Sequence, residues 1–311
     1  MKIAMIGAGG MAPRHLNILT SEPGIEVVGH VSPFPEELAA AVRRWGGRGY
    51  ASCKDLLQHE EVNAAWITVP PGSHGEIEMS LIERGIPFFV EKPLSADRRT
   101  GEEIAATVAS KGIIAGVGYH WRAMDTIPEV KRTLAGKPAH MVCAAWHDAT
   151  PPPVWWRHQA TSGGQMVEQA THLFDIARFL VGEACVTAAA AGRHERPKYP
   201  DADVDDVSAA LLRFNGGAIG VFTATCLLGG NAAVYVQLMC EGLLITVTQG
   251  GVTYDTGRER REVRVGSDPG VAEDRAFLEA VRRNDPTLLF SSYADALLSH
   301  RLTHDVLEAS R

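Results

Sequence analysis

A lysine, a histidine and a carboxylate carry the chemistry this sequence can offer. Lys92 stands in Glu91-Lys92-Pro93, directly after the apolar run Pro87-Phe88-Phe89-Val90. Proline disfavours helical backbone at the residue before it, so the lysine is held in an extended conformation with a defined direction. Further along, Glu168, His172 and Asp175 are spaced by four and three residues. On a helix they share a face, where a carboxylate can hold an imidazole in one tautomer and raise its basicity. An amine and an oriented imidazole are groups that accept and return protons during a reaction. Plainer readings stay open: Lys92 as a solvated lysine at a strand end, and the helix residues as a surface ion-pair ladder continued by Arg178. A metal set made of Glu168, His172 and His147 or His158 has no recognised ligand spacing.

These side chains need a scaffold, and the chain opens with one. Lys2 to Ile6 reads as a buried strand, followed by Gly7-Ala8-Gly9-Gly10-Met11-Ala12 and a helix. Gly7 permits the tight turn, Gly9 lets backbone approach a pyrophosphate, and Ala12 allows close packing of helix on strand. Gly10 and Met11 lead into the helix N-terminus, whose N–H groups and dipole favour an anion. Up to Tyr119, strands alternate with helical patterns: Ile25–Val31, Pro35–Trp45, Ala64–Val69, Gly75–Gly85, Pro87–Val90, Arg99–Lys111 and Ile113–Gly118. Such alternation predicts a parallel, doubly wound sheet, in which Lys92 reaches the same carboxyl edge as the glycine turn.

From Trp121 the rhythm changes. Ala139–His147, Val186–Ala191, Val207–Phe214, Ala218–Cys226, Ala233–Cys240 and Gly242–Thr248 are β-rich, several joined by glycine turns. Close spacing predicts an open, mostly antiparallel sheet. One helix is expected from Gly164 to Val181, with an apolar stripe from Met166 to Val181 and Ser162-Gly163-Gly164 before it. Residues 271–310 are helical by pattern. The expected division is a dinucleotide-binding domain at 1–120 and a substrate-binding and oligomerisation domain at 121–311.

Composition excludes several classes of function. The 311 residues are 45% hydrophobic and 22% charged, with a net charge of −7 and a pI near 5.9. No basic patch offers itself to nucleic acid or an anionic membrane. The five cysteines are scattered, without Cys-x-x-Cys spacing, as expected of reduced residues in a cytoplasmic protein. No apolar run approaches a membrane span, and no signal peptide is expected ahead of the first strand.

The ordered combination of glycine turn, Glu-Lys-Pro and a later Gly-Gly helix bearing acid-x-x-x-His-x-x-Asp resembles the Gfo/Idh/MocA oxidoreductases, relatives of glucose-fructose oxidoreductase and inositol 2-dehydrogenase. The resemblance spans the whole sequence, including Val69-Pro70-Pro71-Gly72-Ser73-His74 and Gly118-Tyr119-His120-Trp121-Arg122. It implies a Rossmann domain followed by an α+β domain whose open sheet joins subunits into a homodimer or homotetramer. It also implies NAD- or NADP-dependent oxidation of a ring hydroxyl of a sugar, cyclitol or related polyol. Lys92 matches the family lysine that acts in proton transfer and touches cofactor and substrate. His172 matches its histidine partner, and Glu168 stands where many members have aspartate. The loop with Val69, Pro70 and His74 is expected along the cofactor, as is Glu91. Substrate contacts are expected from Tyr119, Arg122, Trp156 and His172, although Tyr119 and Arg122 serve equally well as core or salt-bridge residues, and one of Trp155 and Trp156 as packing. A non-catalytic NAD(P)-binding sensor, and a reductase of a non-sugar substrate, remain alternatives on the same fold.

Cofactor choice turns on the end of the second strand. NAD enzymes usually place Asp or Glu there to accept from the ribose 2′-OH. This chain has Ser32, while Glu36 and Glu37 fall in the following helix. The hydroxyl of Ser32 could bond a 2′-phosphate, so the reading favours NADP, even though Arg43 and Arg44 lie too far along that helix to assist.

Overall fold

The computed structural model describes all 311 residues. The chain divides into two compact units: residues 1–95, 99–120 and 270–297 form the first, and 96–98, 121–269 and 298–311 the second. The second unit's long segment begins at Trp121. Residues 270–297, read above with the second domain, belong to the first unit. The cause is apolar: Phe277, Leu278 and Ala280 are buried in one cluster with Ile3, Met5, Leu16, Trp66 and Phe89.

In the first unit β1 (Lys2–Ile6), α1 (Ala12–Leu19), β2 (Glu26–Val31), α2 (Pro35–Trp45), β3 (Arg48–Tyr50), α3 (Cys53–His59), β4 (Ala64–Ile67), α4 (Glu76–Glu83), β5 (Phe88–Val90), α5 (Arg98–Lys111) and β6 (Ala115–Val117) follow in order. The strands form one parallel sheet ordered β3-β2-β1-β4-β5-β6. This is the doubly wound arrangement expected above. Sequence order reverses between β1 and β4, and ligands bind beyond the strand ends at such a switch point. Gly7, Ser32, Thr68, Glu91 and Gly118 stand just past the ends of β1, β2, β4, β5 and β6. The pattern did not foresee β3 and α3. Arg48-Gly49-Tyr50 is an edge strand with only Tyr50 buried, too short for alternation to register.

The second unit contains α6 (Ile127–Gly136), β7 (Met141–His147), α7 (Gln159–Ser162), α8 (Gln165–Glu168), α9 (Thr171–Val181), β8 (Ala184–Gly192), β9 (Val207–Phe214), β10 (Ile219–Thr225), β11 (Ala233–Cys240), β12 (Leu243–Thr248), β13 (Gly251–Asp255) and β14 (Arg260–Arg264). Two C-terminal helices follow, α10 (Pro269–Arg283) and α11 (Tyr293–Ala309). The eight-stranded sheet is ordered β14-β13-β12-β11-β7-β10-β9-β8, antiparallel except for β7 with β10. One face carries Val142, Leu212, Phe222, Val236, Leu238, Ile245 and Val247 into a core shared with α6 and α9, where Phe174 stacks on Phe222 at 4.6 Å. The pattern also missed β13 and β14. Arg260-Arg261-Glu262-Val263-Arg264 offers one apolar residue, and its charges suit an edge that must not recruit another strand.

Candidate active site

The glycine turn is built as its residue types demand. Gly7 has φ 95°, and its N–H donates to Val31 O at 2.8 Å. A Cβ there would stand 2.6 Å from Thr68 O, so only glycine lets the turn lie against the end of β4. Ala12 is fully buried under α1. At Gly9 and Gly10, by contrast, an added Cβ would meet no protein atom within 4 Å. Their lack of side chains answers no packing demand within the chain and leaves room for a ligand backed by the helix N-terminus and the exposed Met11 backbone. A dinucleotide pyrophosphate fits that surface.

Ser32 is 2% exposed, and its hydroxyl is engaged: Oγ donates to Glu37 Oε2 at 2.7 Å and accepts from Phe34 N–H at 3.2 Å. The first turn of α2 thus returns a carboxylate to the end of β2. Past β4, Val69 and Pro70 are half-buried and lead into a short 3-10 turn at Pro71–Ser73. The His74 ring is buried, with Nδ1 2.5 Å from Glu78 Oε1, while Gly75 N–H donates to the other oxygen of Glu78. His74 is therefore tied to the start of α4.

Past β5, Glu91 is buried and Lys92 half-buried, with a cis peptide between Lys92 and Pro93. The carboxyl of Glu91 lies against Gly118, where a Cβ would stand 3.0 Å from Cδ. Glu91 Oε1 is 3.1 Å from Nε2 of His15, a residue the sequence reading did not select. The available signal was a histidine on the buried face of α1, beside Ala12, Leu16 and Leu19. Tyr119 is buried in the apolar cluster behind the sheet rather than presented to solvent.

In the second unit the expected helix from Gly164 to Val181 is interrupted. Gln165–Glu168 and Thr171–Val181 are separate segments, because Ala170 N–H bonds Gln165 O at 2.9 Å, one residue wider than an α-turn. Such wide turns recur at functional sites. The even four-residue spacing that put Glu168 under His172 is thereby lost. Glu168 Oε2 instead accepts from the indole N–H of Trp156 at 2.7 Å, and Trp156 is buried with Val204 and Cys226. Gly163 and Gly164, at φ 77° and 84°, turn the chain into this region, and a Cβ on Gly163 would strike Ala96 O at 2.9 Å.

His172 is 5% exposed and lies near-parallel to two indoles, Trp146 at 6.0 Å and Trp121 at 6.4 Å between ring centroids, both within 17° of parallel. Neither tryptophan was singled out as a partner of His172. Asp175 is not part of a surface ladder. It is buried, accepting from Arg122 Nε at 2.7 Å, Arg122 Nη2 at 2.6 Å and Ser299 Oγ at 2.7 Å. Arg122, whose guanidinium also lies over Phe179, is thereby engaged as a structural tie. The Arg178 side chain is buried too, donating to Ser299 and Glu183.

Residues 1–119 match the family model described as an oxidoreductase family with an NAD-binding Rossmann fold, and residues 130–252 match the GFO/IDH/MocA C-terminal domain. The chain belongs to the Gfo/Idh/MocA oxidoreductases. It is 27% identical over 234 residues to scyllo-inositol 2-dehydrogenase (NAD(+)) of Bacillus subtilis, covering 71% of this chain and 66% of that protein. It is 26% identical over 318 residues to levoglucosan dehydrogenase of Pseudarthrobacter phenanthrenivorans, covering 89% and 79%. A solved levoglucosan dehydrogenase in complex with NADH and levoglucosan aligns at TM-score 0.86 and 21% identity over 100% of this chain and 97% of that one. KijD10, a 3-ketoreductase from Actinomadura kijaniata in complex with NADP, aligns at TM-score 0.87 and 18% identity, covering 100% and 98%. The fold is common to all of these, and the present family member is an NAD(P)-dependent oxidoreductase. No helix is long and apolar enough to cross a membrane.

Proposed function

We propose that this oxidoreductase interconverts a ring hydroxyl and ketone of a sugar, cyclitol or related polyol. The observation that carries the proposal is the glycine turn left open at Gly9 and Gly10, with a half-buried Lys92 past β5 on the same strand-end edge of the sheet. When bound, a nicotinamide dinucleotide supplies the hydride acceptor or donor. Gly7, Gly9, Gly10, Met11 and Ala12 would hold its pyrophosphate, with Val69 and Pro70 alongside. Hydride loss from a carbinol carbon requires the hydroxyl proton to leave with it, and Lys92 takes and returns that proton. His172, packed near-parallel to Trp121 and Trp146, is the second unit's candidate for bonding a substrate hydroxyl. Glu168, which accepts from the indole N–H of Trp156, is a positioning carboxylate with acceptor capacity left for His172. The named substrates of the relatives, inositols and levoglucosan, support the polyol class.

On cofactor choice the contacts of Ser32 count against the NADP reading. A hydroxyl that donates to Glu37 places a carboxylate at the end of β2, which suits a ribose 2′-OH and repels a 2′-phosphate. We therefore favour NAD. Tighter binding of NADPH than NADH in a fluorescence titration would overturn this choice.

The uncovered face of the second sheet is proposed to meet a second copy of the chain. Leu211, Val221, Cys143 and Gln237 lie in one cross-strand row there, Leu211 exposed and the others half-exposed. Five unpaired cysteines suit a reducing, cytoplasmic setting. The deciding experiment is a panel of sugars, cyclitols and glycosides with NAD and NADP, followed by absorbance of the reduced nicotinamide. Turnover of a ring polyol supports the proposal, and silence on polyols with reduction of imines or enones overturns it.

A further inference from the structure

Beneath the glycine turn the first unit buries a chain of charged groups that hydride transfer does not itself require. His15, on α1, is wholly excluded from solvent. Its Nδ1 is 2.9 Å from both oxygens of Asp274 on α10, and its Nε2 is 3.1 Å from Glu91 Oε1. Asp274 also accepts from the indole N–H of Trp66 on β4 at 2.9 Å. At the other end Glu91 is pressed against Gly118 beyond β6. Helix α1, strand β4, the turn after β5 and helix α10 are thus joined through one imidazole.

Ionised carboxylates only accept hydrogen bonds, so an imidazole facing one through each nitrogen donates from both and is an imidazolium. Burial alone would depress its pKa, but Asp274 and Glu91 prevail and raise it to about 10. Burial likewise pushes the carboxyl of Glu91 up, yet His15 together with the charges of Lys92 and His120 brings it below the usual range. Glu273, beside Asp274, is driven well above the usual carboxylate range by burial and by the charges of Glu91 and Asp274, a rise that His15 and Arg14 oppose. With the imidazole donating to a carboxylate through each nitrogen, the three groups carry one net negative charge, and Glu91 immediately precedes Lys92 in the chain.

We propose that the Asp274-His15-Glu91 chain is a positioning relay for Lys92, fastening the Glu91-Lys92-Pro93 turn to the helix behind the glycine turn and setting the field in which the lysine exchanges its proton. This rests on Lys92 being the acid/base group. The three residues act through the lysine rather than as proton carriers themselves. Changing one member changes the charge beside Lys92 with a sign that depends on the member. His15→Gln removes a cation and leaves two carboxylates, which favours the ammonium form. Asp274→Asn removes an anion and favours the free amine.

The test is amine-reactive labelling of Lys92 as a function of pH in the cofactor-free protein, read by mass spectrometry. Relative to wild type, the labelling midpoint rises by about one pH unit in His15→Gln and falls by a similar amount in Asp274→Asn. Residues with a merely structural role would lower the melting temperature in both variants and leave both midpoints in place, which would overturn the relay. Should neither variant fold, nitrogen NMR of the wild-type imidazole decides: His15 protonated on both nitrogens at pH 8 supports the relay, and a neutral ring there refutes it. Lys92→Ala separates this inference from the proposed reaction. Undiminished turnover in that variant defeats the acid/base reading even if the midpoints move, whereas lost turnover with unmoved midpoints defeats the relay alone.

Discussion

His15 and His172 are buried histidines in different units, and their surroundings are opposite. His15 meets carboxylates through both nitrogens, so burial comes with compensating charge and the ring stays protonated. His172 packs near-parallel to the rings of Trp121 and Trp146. Indoles restrict where a neighbouring ring points by packing rather than by charge. The first environment makes a histidine a cation over the physiological range that holds other groups in place; the second surrounds one with aromatic rings. Burial of similar degree thus carries different functional meaning, and the neighbouring residue types decide which.

That contrast can be broken or sharpened by experiment. The largest effect belongs to the reacting group: Lys92→Ala should lower turnover by about 10²–10⁴-fold with NADH affinity retained, as steady-state kinetics and fluorescence titration will show. Paired histidine replacements come next. His15→Leu leaves two buried carboxylates without their cation and should cost about 3–5 kcal/mol in denaturant unfolding. His172→Leu, a substitution of similar volume among aromatic rings, should cost less than about 1.5 kcal/mol while still abolishing most turnover. Equal stability losses would erase the distinction drawn here.

A third prediction concerns pH. The folded pKa of His15 lies above its unfolded value of 6.5, so its stabilising contribution is complete below about 6.5 and is lost as pH rises through about 10. The melting temperature should therefore fall more steeply over that interval in wild type than in His15→Gln, measured by thermal scans in matched buffers. The smallest effect is cofactor preference. Glu37→Gln should improve NADPH binding relative to NADH by about tenfold, corresponding to about 1.4 kcal/mol; an unchanged ratio would remove Glu37 from the account.

Regions with a strong local pattern were legible without coordinates. The bounds of β1, α2, β9 and β11 coincide with the apolar and helical runs of the sequence, and the glycine turn has the positive φ at Gly7 that its residue type allows. The chain failed to announce β14, whose single valine offers no alternation, and the break after Glu168, which no glycine or proline marks. That break matters most for the site. A spacing of four places two side chains together only on an unbroken α-helix, and the added residue before Ala170 alters the register.

Local chemistry in the sequence therefore determined the nucleotide-binding turn, the parallel sheet that carries it and the family, because turns, caps and alternation depend on residues a few positions apart. Tertiary structure alone decided which partners the charged groups found. Asp274 reaches His15 across 259 positions, Arg122 takes Asp175 across 53, and the carboxylate beside Ser32 comes from a helix rather than from the strand. Distances of that kind in sequence are closed by packing of the apolar faces of α10, α9 and α2, and hydrogen-bonding capacity carries no record of which distant group will satisfy it.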